Sequence, residues 1–234
     1  MAGHDRIRGG GSRRTRVLVA ITAGAAAAIT AVTVVPSADL RPDITPTVGV
    51  LASGCSLIDS FGTGVAVAPD LIATSAHTVA GATEVTIIDH SGQEHSGRVV
   101  GFDPAQDVAV ILVTAPLASA GLASTGKGDR GVLATWHPDT GFKSVEAAVS
   151  RLLVVTIEDI YLEELTKRRA FEISTEVVRG NSGGPVFNAS GEVVGIIYAT
   201  SRERGNAGFA LRAEEISALV ERVKRGGVAN GRCT

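Results

Sequence analysis

The chain has 234 residues, with 22 basic against 24 acidic side chains and a formal net charge of only −2. That balance argues against the broadly basic surface that nucleic-acid binding requires. His4, His90, His95 and His137 have no neighbours at metal-ligand spacing and no phosphate-binding glycine loop occurs, so neither a metal nor a cofactor is expected.

Residues 1–16 carry Arg6, Arg8, Arg13, Arg14 and Arg16 and lead into an uncharged apolar run at residues 17–35. The run approaches the ~20 residues that cross a bilayer as a helix, and a basic flank stays on the cytoplasmic side. It reads as an apolar helix acting as an uncleaved single-pass anchor. A signal cleaved near Ser37-Ala38 is the alternative, which Pro36 fits poorly. Residues 36–46 include Pro36, Pro42 and Pro46 among small and charged residues, the composition of a short tether. Residues 47–234 are thereby expected outside the cytoplasm as one globular domain.

In that domain, β-branched runs at 64–68, 84–88 and 108–113 are bounded by Gly, Asp, Asn and Pro. The pattern is all-β, and periodicity alone permits barrels or a sandwich. One helix is expected at 213–224, where Ile216, Leu219, Val220 and Val223 share a face and Glu214 and Glu215 stand in the first turn.

Three segments offer chemistry. Residues 71–79 read as a strand running into a turn that carries His77, a candidate general base, although such a ring more often only hydrogen-bonds locally. Residues 101–111 place Asp107 directly before a continuous apolar strand, whereas Asp103 precedes Pro104 and belongs to the turn. In Gly180-Asn181-Ser182-Gly183-Gly184-Pro185 a hydroxyl nucleophile sits among glycines whose permissive dihedrals let backbone N–H groups converge on a substrate oxygen. A plain glycine-rich hairpin has the same composition. What raises these residues above local readings is their order: His, Asp, Ser, each in its own segment, is one of the chain orders of a catalytic triad.

The three segments resemble the chymotrypsin-type fold and, within it, the bacterial trypsin-like proteases related to the HtrA group. The recurring boxes of that group are Thr-Ser-Ala-His, Asp-Pro-x-x-Asp-Val-Ala-Val and Gly-Asn-Ser-Gly-Gly-Pro, found here at 74–77, 103–110 and 180–185. From Val48 onward the chain is similar to MarP-like actinobacterial proteases, membrane-anchored periplasmic enzymes linked to acid and oxidative stress resistance. Gly62-Thr63-Gly64, Gly195-Ile196-Ile197, Gly208-Phe209-Ala210-Leu211 and the positions of Cys55 and Cys233 carry this likeness.

The resemblance implies two six-stranded antiparallel β-barrels, at about 48–113 and 131–211, joined through 115–130; the apolar face of the C-terminal helix is expected to pack on the second. It implies catalytic residues His77, Asp107 and Ser182, and an oxyanion hole from the N–H groups of Gly180 and Ser182. The loop bearing Glu176 and Arg179 would line the primary specificity pocket, with Glu176 either at its base or facing solvent, and Tyr198, Ala199 and Thr200 would pair with substrate backbone. The function implied is that of an extracytoplasmic serine endopeptidase acting on proteins or peptides in the envelope stress response; a non-catalytic module of the same fold that binds a peptide is the alternative.

Cys55 and Cys233 are the only cysteines and lack CxxC spacing, so a structural disulfide fits better than a metal or redox-active site, with two reduced thiols as the alternative. Asn181 occupies the place where the digestive enzymes keep an aspartate that pairs with a newly freed N-terminus, so activation by that cleavage is not expected. The chain ends soon after its last helix, so a C-terminal PDZ module is not expected.

Overall fold

The computed structural model describes residues 40–55, 59–201, 204–226 and 231–234. The basic segment and the apolar run at 17–35 lie outside these, and among the described residues no helix is long and apolar enough to cross a membrane. Strands β1 (Thr47–Ser53), β2 (Ser60–Ala68), β3 (Leu71–Thr74), β4 (Glu84–Ile88), β5 (Glu94–Asp103) and β6 (Val108–Val113) close into a barrel in the order β1-β2-β3-β6-β5-β4. A one-turn helix, α1 (Ala76–Val79), follows β3. Strands β7 (Arg130–His137), β8 (Gly141–Glu158), β9 (Leu165–Ile173), β10 (Pro185–Phe187), β11 (Val193–Thr200) and β12 (Gly208–Arg212) close a second barrel in the order β10-β11-β12-β9-β8-β7. Closure, which the period-2 pattern could not distinguish from a sandwich, removes exposed sheet edges.

Each barrel is filled by its own inward-facing residues. Val50, Ile72, Ile87 and Ile111 lie in the core of the first, and Leu133, Phe171, Ile173 and Ile197 in that of the second. The alternate faces of β2, β3 and β6 present Val65, Ala73 and Val110 to a shared cluster with Phe187, Ile196 and Leu211 of the second barrel. That seam is where a site built from both barrels can form.

The final helix, α2 (Ala213–Lys224), buries Ile216, Leu219 and Val220. It was expected on the second barrel; it lies across both. Its apolar residues join the shared cluster with Val100 and Val110, Arg222 donates to Asp103 at 2.6 Å, and Gly101 on β5 leaves the space that Val223 and Leu219 fill. Cys55 and Cys233 form a disulfide across 178 residues, and Cys233 lies against Gly81, just beyond α1, whose φ of +66° suits glycine.

The feature least visible in advance is the β8–β9 hairpin. Strand β8 spans 18 residues, and its far half pairs only with β9, from Val149↔Ile173 out to Glu158↔Leu165. The tip turns back onto the first barrel, where the Ile160 N–H donates to Pro104 O at 3.3 Å.

Candidate active site

His77 is delivered by the short step from β3 through Ser75 into α1. Asp107, immediately before β6, adopts φ +57° although it is not a glycine, a left-handed conformation that Asp tolerates better than most residues. The twist sends its carboxylate, which is 3% exposed, back beneath the imidazole. His77 Nδ1 lies 2.8 Å from Asp107 Oδ2 and 3.0 Å from Oδ1, and the His77 backbone N–H donates to Oδ1 at 3.0 Å. An ionised Asp107 makes Nδ1 the protonated nitrogen of the neutral ring and leaves Nε2 as an acceptor. Burial pushes the imidazole pKa down, but the charge and hydrogen bond of Asp107 outweigh it; with Arg168 opposing, the net position lies above the ordinary histidine value. Asp103 does not compete for this role, because its carboxylate accepts Gln106 N–H and Arg222.

The serine loop is fixed by its own backbone and by the first barrel. Gly180 and Gly183 take φ of +92° and +78°. Asn181, in place of the aspartate of the digestive enzymes, folds inward so that its Oδ1 accepts Val178 N–H at 2.9 Å. Thr63 N–H donates to Ser182 O at 2.8 Å, while the Thr63 hydroxyl donates to Gly180 O at 2.9 Å and accepts from Trp136 N–H. Gly183 N–H and the Ser75 hydroxyl share Ile197 O as acceptor, and a Cβ on Gly183 would approach Ser75 N to 3.0 Å. The residue after Ser182 therefore abuts the segment that carries His77. Among the described residues the N–H groups of Asn181, Gly183 and Gly184 donate to backbone carbonyls, whereas those of Gly180 and Ser182 have no acceptor. Two free donors, one on the serine itself and one two residues before it, make an oxyanion hole chemically possible.

A cleft of about 740 Å³ opens beside this constellation, lined by His77, Asp107, Arg168, Tyr198, Thr200 and, from the hairpin, Ile157. Tyr198 is buried, and desolvation pushes its phenol up to about 12, with Asp107 adding and Arg168 opposing. Ala199 is half-buried and Thr200 exposed. Residues 198–200 run past the end of β10, so their edge is paired with β12 alone. Of the alternatives for Glu176, the structure shows the solvent-facing one: alternation along 175–178 turns Thr175 and Val177 inward and Glu176 and Val178 outward. Arg179 is also exposed, its guanidinium 5.6 Å from the centre of the Phe61 ring. Among the described residues the buried charges Asp159, Arg168 and Glu172 escaped the sequence reading. Glu172 receives Arg151 and Arg204, and Arg168 reaches the turn before Asp107.

Residues 62–196, more than half the chain, match the trypsin-like peptidase domain family. The chain belongs to that family. Serine protease Rv3671c of Mycobacterium tuberculosis H37Rv is 31% identical over 169 residues, covering 69% of this chain and 42% of the relative. A probable periplasmic DegP-like serine endoprotease of Halomonas elongata is 30% identical over 176 residues, 72% of this chain and 36% of that protein. The chain spans less than half the length of these curated relatives. The crystal structure of the active form of the Rv3671c protease superposes with a TM-score of 0.73 at 26% identity, covering 81% of this chain and 86% of that one. Both the MarP-like and the HtrA-group likenesses read from the sequence are thus found, on a shared two-barrel fold.

Proposed function

We propose that this protein is an extracytoplasmic serine endopeptidase in which Ser182 attacks a peptide carbonyl, His77 Nε2 takes its proton and returns it to the leaving amine, and Asp107 orients the ring and stabilises its charged form. The observation that carries the reading is the junction itself: among the described residues, a His77–Asp107 pair with Nε2 free beside a serine loop whose N–H groups at Gly180 and Ser182 are unengaged. Those donors would bind the oxyanion of the tetrahedral intermediate, and an acyl-enzyme would then be hydrolysed.

The free edge at Tyr198, Ala199 and Thr200 supports β-strand addition of the substrate backbone. With Glu176 and Arg179 exposed, selection of basic side chains by a buried acid has little support, although the 176–179 loop still borders the serine. Incubation with a peptide library and terminal sequencing of the products tests the reading. Internal cleavage that disappears in Ser182→Ala is expected; an uncleaved library with folded protein refutes it.

The arginine-flanked apolar run at 17–35 supports membrane anchoring with residues 36–46 as tether, which would hold the protease domain on the extracytoplasmic side of the cell membrane for an envelope stress response. Full-length protein retained in carbonate-washed membranes, with residues 40–234 alone released, is the expected fractionation. We further propose that the Cys55–Cys233 disulfide, by tying the chain ahead of β2 to the C-terminal tail, keeps the barrels in the competent arrangement.

A further inference from the structure

Arg168 is a buried cation with no carboxylate within ion-pair distance among the described residues. It is 3% exposed, and burying an unpaired charge is costly unless its donors are satisfied. They are satisfied by main-chain carbonyls: Nε donates to Ala105 O at 2.7 Å, and Nη2 reaches Pro104 O at 3.4 Å and Glu158 O at 3.3 Å. Ala105 and Pro104 belong to the turn that ends at Asp107, whereas Arg168 and Glu158 belong to the β8–β9 hairpin of the second barrel. Gln106 of the same turn donates from Nε2 to Lys167 O at 3.1 Å, and Ile160 N–H reaches Pro104 O. The guanidinium also sits 5.4 Å from the centre of the Tyr198 ring and lines the cleft with His77 and Asp107.

Resting on the triad reading above, we propose that Arg168 is a positioning residue that acts through Asp107: its guanidinium fork clamps the Asp107 turn of the first barrel onto the β8–β9 hairpin of the second. The reason for a clamp is local. Asp107 holds a left-handed conformation that a free turn would relax, and the carboxylate must stay within hydrogen-bonding reach of Nδ1 for the ring to keep its tautomer. A lysine offers a single point charge and cannot bridge the Pro104, Ala105 and Glu158 carbonyls in the same way. Of the charged groups facing His77, Asp107 reaches it from the β5–β6 turn and Arg168 from β9, with opposite effects on its protonation.

The experiment compares wild type, Arg168→Met, Arg168→Lys and Gln106→Ala in peptide hydrolysis across pH, with thermal midpoints measured in parallel. For Arg168→Met a fall of about 100-fold in kcat, with KM changed far less, is expected for a displaced catalytic pair. The acidic limb of kcat/KM moves to higher pH, since a cation that opposed imidazole protonation is gone. Arg168→Lys keeps the limb near its wild-type position but recovers only part of kcat, and Gln106→Ala, which loosens the parallel contact, lowers kcat several-fold. Wild-type kcat in Arg168→Lys, or a lowered thermal midpoint in Arg168→Met with kcat and the acidic limb unmoved, overturns the clamp. If Arg168→Met does not fold, the lysine and Gln106 variants decide alone: wild-type kcat in both overturns the proposal. Hydrolysis by wild type that Ser182→Ala abolishes is the control; its failure would refute the triad reading itself, separately from the clamp.

Discussion

Among the described residues two histidine–aspartate pairs have equal length. His77 Nδ1 lies 2.8 Å from Asp107 Oδ2, and His95 Nε2 lies 2.8 Å from Asp89 Oδ2. The distance therefore says nothing about which pair does chemistry. Asp89 and His95 are six residues apart in the β4–β5 hairpin, and Asp89 also accepts Ser91 N–H, the Ser91 hydroxyl and Gln93 N–H. Burial opposes its ionisation, but hydrogen bonds from Ser91, His95 and Gln93 outweigh that and hold the carboxyl at about 2. That acid organises a turn, and the pair consumes the imidazole's distal nitrogen. His77 and Asp107 come from segments 30 residues apart; the acid takes the proximal nitrogen and leaves the distal one without a partner among the described residues. What separates the two is which nitrogen is spent and whether the two residues come from one hairpin or from distant segments.

Breaking each pair should expose that contrast. Ser182→Ala or His77→Ala is expected to lower kcat by about 10⁶-fold and Asp107→Asn by about 10⁴-fold, whereas His95→Ala and Asp89→Asn leave kcat/KM within about twofold, all read by steady-state peptide hydrolysis. Reduction of the disulfide comes next. Releasing a 178-residue link removes up to roughly 5 kcal/mol of unfolded-chain restriction in the entropic model, so the thermal midpoint and turnover should both fall with reductant; unchanged values would show that the link holds neither barrel. The pH profile sharpens the comparison further. A protonated imidazole cannot accept the serine proton, and the His77 pKa is raised; kcat/KM should therefore fall with decreasing pH at a point above the ordinary histidine value.

Asp89 gives the smallest effect and the opposite sign. Its folded pKa is depressed, so its stabilisation is present above the unfolded value of about 3.9 and is lost as pH falls toward about 2. Asp89→Asn should cost about 2 kcal/mol in urea unfolding at neutral pH, with the gap to wild type closing in acid and activity retained.

Much of this was legible in the sequence, for identifiable reasons. The His77, Asp107 and Ser182 segments each carry a local signal: an apolar strand followed by a short polar turn, an acid at a strand start, a hydroxyl among glycines. The choice of Asp107 over Asp103 came from the resemblance to the Asp-Pro-x-x-Asp-Val-Ala-Val box, with the proline after Asp103 in agreement; Asp103 serves the turn and Arg222. The long hairpin was not legible, because its solvated far half lacks the buried run that marks a barrel strand. Arg168 was hidden for a related reason. Lys167-Arg168-Arg169 reads as a charged surface patch, and only alternation with the buried Ala170 shows that residue 168 points inward. The placement of α2 depended on Gly101 making room on the first barrel, a complementarity between distant segments that no local pattern encodes. Glu176 had family position in its favour, yet the two-residue period across 175–178 turned it outward.

The central claim is that Ser182 is a nucleophile activated by His77. Mass spectrometry after treatment with a fluorophosphonate probe tests it most directly: the account predicts one adduct, on the peptide containing Ser182, lost in Ser182→Ala and formed more slowly as pH falls through the His77 pKa, whereas folded wild type that takes no adduct, or labels equally in Ser182→Ala, would contradict it.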